Sequence, residues 1–241
     1  MKKVLILGGT ADAVRIAQSM SGNAHVLYSL AGRTREPNLP DCRIHTGGFG
    51  GADGLAAYIA ENNIDALLDA THPYAATMAT NAAAACQKAE IPGAKYLRPA
   101  WRAEEADNWI AAKDYEEAAR LLSDMGDRVF LSTGSQNLAA FAIQKDKFFL
   151  IRAVEPPETI PFDIYSLLLA RGPFERSGET MLLSKYDIQV VVSKNSGGPL
   201  AAKLLAARDR KTPVIMIDRP EPPEGDLIES EEGVIDWLAG T

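Results

Sequence analysis

The chain is poor in the residues that build metal centres and disulfide frameworks. Among 241 residues there are two cysteines, Cys42 and Cys86, and three histidines, His25, His45 and His72. Their spacing fits no metal pattern, so no metal is expected on the protein and both thiols read as ordinary. Positive charge is also in deficit: 25 Lys+Arg against 32 Asp+Glu give a formal net charge of −7, which favours neither nucleic acid nor an anionic membrane as partner. No apolar run approaches a membrane span, and Met1-Lys2-Lys3 leads into a short strand instead of a signal core, so the cytoplasm is the expected location. A Gly-x-x-x-x-Gly-Lys-Ser/Thr loop and a Gly-x-Ser-x-Gly elbow are both missing, which removes P-loop phosphoryl transfer and elbow-serine hydrolysis.

What is present is a repeated pattern of apolar strand, glycine turn and helix. Val4 to Leu7 runs into Gly8-Gly9-Thr10 and then into a helix from Ala11. Glycines there let a backbone approach a phosphate, and the first-turn N–H groups of the helix point at its charge. The turn departs from the full Gly-x-Gly-x-x-Gly fingerprint, and a tight turn without a ligand remains the alternative.

Further strands are expected at His25–Leu30, Cys42–His45, Ile64–Ala70 and Ala94–Leu97. Helices are expected over Asp53–Asn62, with Asp53 as N-cap, and over Tyr74–Ala89. Leu97-Arg98-Pro99-Ala100-Trp101 breaks the pattern, which then restarts. A helix over Asp114–Met125, strands at Arg128–Ser132, Phe148–Val154, Tyr165–Ala170, Ile188–Ser193 and Val214–Ile217, a helix opened by Pro199, a loop over Glu221–Asp226 and a closing helix over Glu231–Leu238 follow. The alternation implies α/β architecture: two Rossmann-like parallel-sheet domains, 1–98 and 99–241, the closing helix free to pack back on the first, with a cofactor cleft between them.

Ligands of such sheets sit beyond the carboxyl ends of the strands. The loops there supply the expected cofactor-binding set: Gly8, Gly9, Thr10, Ser29, Gly32, Arg33, Gly48, Phe49, Thr71, Thr133, Gly134, Asn195, Ser196 and Gly197. After the second strand, Ser29, Arg33 and Arg35 stand where an NAD site places an acid, which favours NADPH; solvated loop arginines are the competing reading. Lys194-Asn195-Ser196-Gly197-Gly198 has the composition of a second anion nest. Arg98, Trp101, Arg102, Arg171, Lys194 and Arg219 lie at breaks in the pattern and form the expected set for a carboxylate-rich substrate. For proton transfer the candidates are His72, in a post-strand loop, and Tyr74.

The ordered series Leu7–Thr10, Ser29–Arg33, Gly47–Gly51, Asp69–Ala75, Arg171–Phe174 and Lys194–Gly198 resembles the precorrin-6A reductase family of cobalamin biosynthesis, over nearly the whole chain. The resemblance implies NADPH-dependent reduction of one carbon–carbon double bond of a tetrapyrrole, metal-free or carrying cobalt, by hydride transfer and protonation. It leaves neighbouring pathway enzymes as candidate partners. An NADP-sensing regulator without catalysis would show the same glycine turns. A short-chain-type dehydrogenase is disfavoured, because no Tyr-x-x-x-Lys pair occurs.

Overall fold

The structure, a computed structural model, describes residues 1–32 and 36–241. The chain divides into two units, Met1–Pro99 with Pro220–Thr241, and Ala100–Arg219. The second unit thus ends at Arg219 instead of residue 241. The tail from Pro220 supplies a strand and a helix to the first.

Unit 1 holds strands β1 (Lys3–Leu7), β2 (His25–Leu30), β3 (Arg43–Thr46), β4 (Ala66–Asp69) and β5 (Gly93–Tyr96) and helices α1 (Ala11–Ser19), α2 (Gly51–Glu61) and α3 (Ala76–Ala89). Unit 2 holds β6 (Trp109–Ala112), α4 (Tyr115–Leu121), β7 (Arg128–Leu131), β8 (Phe148–Ala153), β9 (Tyr165–Leu169), α5 (Arg176–Lys185), β10 (Val190–Lys194), α6 (Ala202–Arg210) and β11 (Val214–Ile217), with 3-10 turns at Leu122–Asp124 and Leu138–Ile143. Strand β12 (Asp226–Ile228) and helix α7 (Glu231–Gly240) then complete unit 1.

Both sheets are parallel. Their orders are β3-β2-β1-β4-β5-β12 and β9-β8-β7-β10-β11-β6, each the dinucleotide-fold order, with the sixth place taken by a strand from outside the βαβ series. The apolar strands are continuous because both faces are covered. Val4 and Ile6 pack with α1 residues and Tyr28 on one face, whereas Leu5 and Leu7 pack with Leu55, Ile59, Ala82 and Ala85 on the other. Small residues at Ala79, Ala82 and Ala85 set α3 close against the sheet. In unit 2 the corresponding core gathers Phe130, Leu150, Val191, Leu183 and Leu204.

Three local expectations are corrected. Asp53 is not the cap of α2: Gly50, at φ 81°, precedes the helix, and Asp53 pairs with Lys88 of α3. Pro199 does not open α6, which starts at Ala202, because Gly197 and Gly198 (φ 71° and 76°) carry the chain through a left-handed turn first. The stretch read as loop through Asp226 gives way to β12, paired with β5 from Asp226↔Ala94 onward.

Candidate functional site

In each sheet the chain reverses its direction of winding beside the central strand, and the loops that follow β1 and β4, or β7 and β10, diverge there. In unit 1 that point is built by the glycine turn. Gly8 N–H donates to Ser29 O (2.7 Å), which extends the β1–β2 ladder by one residue. A Cβ at Gly8 would lie 2.1 Å from Tyr28 Cζ, so the close approach of the tyrosine ring requires glycine. Gly9, at φ 103°, donates its N–H to the Tyr28 hydroxyl (2.9 Å) and has open space where a side chain would stand. Burial pushes the Tyr28 phenol up, with the Gly9 bond opposing it.

Thr10 caps α1. Its Oγ1 accepts Ala13 N–H (3.0 Å) and donates to Ala70 O (3.0 Å), which joins the glycine turn to the loop after β4. The amides of Ala11 and Asp12 remain the first-turn donors without an intrahelical partner. Asp12 is buried, paired with Arg98 (Nη1–Oδ2 2.5 Å) and Arg15; Arg15 also meets Glu231 at the start of α7 (2.9 Å). The carboxylate at the helix entrance is therefore neutralised, and Arg98, expected at a substrate, is engaged inside unit 1.

After β4, Thr71 donates both its N–H (3.0 Å) and its hydroxyl (2.6 Å) to Asp69 Oδ1. His72 Nδ1 accepts Tyr74 N–H (3.3 Å), which leaves the imidazole proton on Nε2 in the neutral ring, and the two rings lie 5.6 Å apart. Ser29 is buried and serves the turn through its carbonyl. Gly32 adopts φ 73° against Thr46, and Gly48 is exposed. Arg33 and Arg35 lie outside the described residues. Phe49 faces inward, stacked on His45 (4.7 Å) and edge-on to Tyr58 (5.0 Å), which opposes a direct ligand contact.

In unit 2, Thr133 follows β7 with its Oγ1 buried and without a hydrogen-bond partner among the described residues, and Gly134 adopts φ 87° beside it. Asn195 is committed to Trp101: Oδ1 accepts Trp101 N–H (2.8 Å) and Nδ2 donates to Trp101 O (2.9 Å), while the Trp101 indole donates to Gly198 O (2.9 Å). Arg219 Nε donates to Asn195 O (2.7 Å). Asn195, Trp101 and Arg219 thus build the turn in which Ser196 N–H donates to Lys194 O (2.9 Å) and Gly197 is left-handed. Burial lowers Lys194 to about 8. Arg102 and Arg171 are exposed.

Five partners escaped the sequence reading. Tyr28 and Lys95 were hidden in strand patterns. Arg152 and Glu179 form a buried bidentate pair (2.5 and 3.1 Å), with the guanidinium over Phe174 at 3.9 Å from the ring centroid. Lys203, in the first turn of α6, keeps some surface while its ammonium is enclosed; burial and the charges of Arg152 and Lys194 lower it to about 7 against the pull of Glu179. The available signal was a single charge in an otherwise apolar stretch, as at Arg152 in β8. A cavity of about 570 Å³ in unit 1, beside Lys3, His25 and Arg43, opens at the opposite strand ends from the glycine turn and takes no part in this site.

A family model described as precorrin-6x reductase CbiJ/CobK matches residues 3–239. The chain is 44% identical over 242 residues to a protein named precorrin-6A reductase from Rhodococcus erythropolis, covering 99% of this chain and 98% of that one. It is 26% identical over 250 residues to one named cobalt-precorrin-6A reductase from Priestia megaterium, covering 98% and 97%. A solved structure described as CobK precorrin-6A reductase matches with a TM-score of 0.90 at 38% identity, over 100% of this chain and 97% of that one. With both units and their shared strand order inside these matches, the chain belongs to the precorrin-6x reductase family.

Proposed function

We propose that this chain reduces precorrin-6A to precorrin-6B in cobalamin biosynthesis, with NADPH as hydride source. The observation that carries the reading is the full-length similarity to the Rhodococcus erythropolis protein, which spans both units. The higher identity to that protein than to the cobalt-named relative, 44% against 26%, favours the metal-free substrate.

The fit to a dinucleotide rests on unit 1. The open face of Gly9, the first-turn amides of α1 and the neutralised Asp12 suit a pyrophosphate, and Ser29, Arg33 and Arg35 are assigned the choice of NADPH over NADH. Gly8, Thr10 and Thr71 hold this cradle in shape. Gly32 and Gly48 are assigned to its rim, with Phe49 packed behind them on His45 and Tyr58. The orphan hydroxyl of Thr133, with Gly134, Ser196 and Gly197, offers a second polar cradle in unit 2, for which Asn195 holds the backbone. NADPH supplies a hydride; the acceptor's neighbouring carbon then needs a proton, which His72 Nε2–H is assigned to deliver, with Tyr74 beside it. Lys194, Arg171, Arg102, Arg219 and Arg98 are assigned to the substrate's carboxylates and Trp101 to its ring system.

The test is anaerobic incubation of the full chain with precorrin-6A, following loss of NADPH absorbance, with cobalt-precorrin-6A and NADH as parallel substrates. Turnover of the metal-free substrate with NADPH is expected. NADPH binding without consumption would leave the NADP-sensing regulator instead. Arg33→Ala is expected to raise the KM for NADPH far more than that for NADH, corresponding to about 1.5–3 kcal/mol for a charged hydrogen bond; equal effects on the two cofactors overturn the assignment.

A further inference from the structure

Asp69 and Lys95 form an ion pair that the proposed hydride chemistry does not use. Asp69 ends β4, Lys95 lies opposite it in β5, and the two are in register. Both are buried, 3% and 6% exposed, with Nζ 2.8 Å from Oδ2. Such a pair adds little net stability, because desolvating two charges offsets their attraction, and apolar replacements are often as stable. A cavity of about 280 Å³ borders Lys95, Asp69 and Cys86, so crowding does not force a polar pair here.

The second carboxylate oxygen has another task. Oδ1 takes both hydrogen bonds of Thr71, from N–H (3.0 Å) and hydroxyl (2.6 Å). The same loop is held from the glycine turn by Thr10 Oγ1 on Ala70 O (3.0 Å) and closed by Ala75 N–H on His72 O (2.8 Å). Lys95 faces one edge of the carboxylate and Thr71 the other. The direction of the carboxylate is thereby set, and with it the start of the turn in which Tyr74 N–H orients the His72 ring.

We infer that Asp69, aimed by Lys95, is a positioning residue that fixes the Thr71–Tyr74 loop and with it the orientation of the His72 ring. This rests on the reading of that loop as part of the cofactor and proton-transfer site. Neither Asp69 nor Lys95 touches the ligand; each acts through Thr71.

The experiment compares Lys95→Met, Lys95→Arg, Asp69→Asn, His72→Ala and the double variant Asp69→Asn/His72→Ala in the full chain. It reads NADPH binding by cofactor fluorescence, KM and kcat on precorrin-6A, and the melting temperature. Lys95→Met and Asp69→Asn are each expected to lower kcat/KM by roughly 10- to 100-fold, the scale of a misplaced catalytic group, with a small change in melting temperature. Lys95→Arg is expected to recover most of the loss. The double variant is expected to be no worse than His72→Ala alone, since both changes act through one group. A strong His72→Ala effect beside a kinetically silent Lys95→Met overturns the positioning role alone. Losses that multiply in the double variant also overturn it. A silent His72→Ala removes the loop from the site, and the inference falls with that reading.

Discussion

The hydroxyl of Tyr28 accepts the backbone N–H of Gly9 at 2.9 Å, from the strand next to the one that the glycine turn extends. The bond closes the turn from below, and it occupies the amide that a glycine turn would otherwise offer to an anion. What remains for a phosphate is the open Cα face of Gly9 and the first-turn amides of α1. Tyr28→Phe should cost about 1 kcal/mol of stability, the usual net worth of a neutral hydrogen bond, and should release the Gly9 amide. Urea unfolding with parallel NADPH titration checks this; an unchanged midpoint would show that the bond contributes nothing.

Gly8→Ala places a methyl group against the Tyr28 ring, where Cζ lies 2.1 Å from the ideal Cβ. Overpacking of this kind costs about 1–3 kcal/mol. Trimming the ring in Gly8→Ala/Tyr28→Ala should cost less than the sum of the two single changes. Strict additivity in thermal melts would mean that the turn moves aside.

Removing Glu179 leaves Arg152 charged and 8% exposed between two phenylalanine rings. Glu179→Leu is expected to destabilise unit 2 by about 3–5 kcal/mol, and Arg152→Met/Glu179→Leu by much less, because the penalty lies in the unpaired charge. Chemical denaturation of the three proteins decides it.

Lys203 titrates near 7 in the folded chain and near 10.5 when free. Between those values the unfolded chain holds a proton that the folded chain has released, so stability rises with pH across the window and is least below it. Lys194, lowered to about 8, adds the same sign from there upward. Lys203→Met should flatten this slope and raise the melting temperature at about pH 6. A steeper slope in the variant would contradict the enclosure of the ammonium.

Strands β1, β2, β4, β7, β10 and β11 were legible as apolar runs ending in glycine or polar loops, because sheets covered on both faces need no alternation. Two edge strands were not. Trp109–Ala112 and Asp226–Ile228 are short, and only a partner far away in sequence makes either of them a strand. Helix α5 also escaped, since its buried residues, Glu179 and Leu183, make no apolar stripe. The post-strand loops were readable from their residue types, but the contacts inside them were not. Asn195 looks like a ligand donor until its amide is seen on Trp101, and Lys95 gains meaning only from the register that sets it against Asp69.

The tail that supplies β12 has a consequence for the order of assembly on the ribosome. Unit 2 is one contiguous segment, complete once Arg219 has emerged. Unit 1 must wait for the last 22 residues, Pro220–Thr241, before its sheet gains its outermost strand and the α1 entrance receives Glu231. The half of the protein made first is therefore finished last, against the usual N-to-C order of domain folding. A nascent chain stalled short of its terminus would carry a folded second unit and a first unit with an open β5 edge.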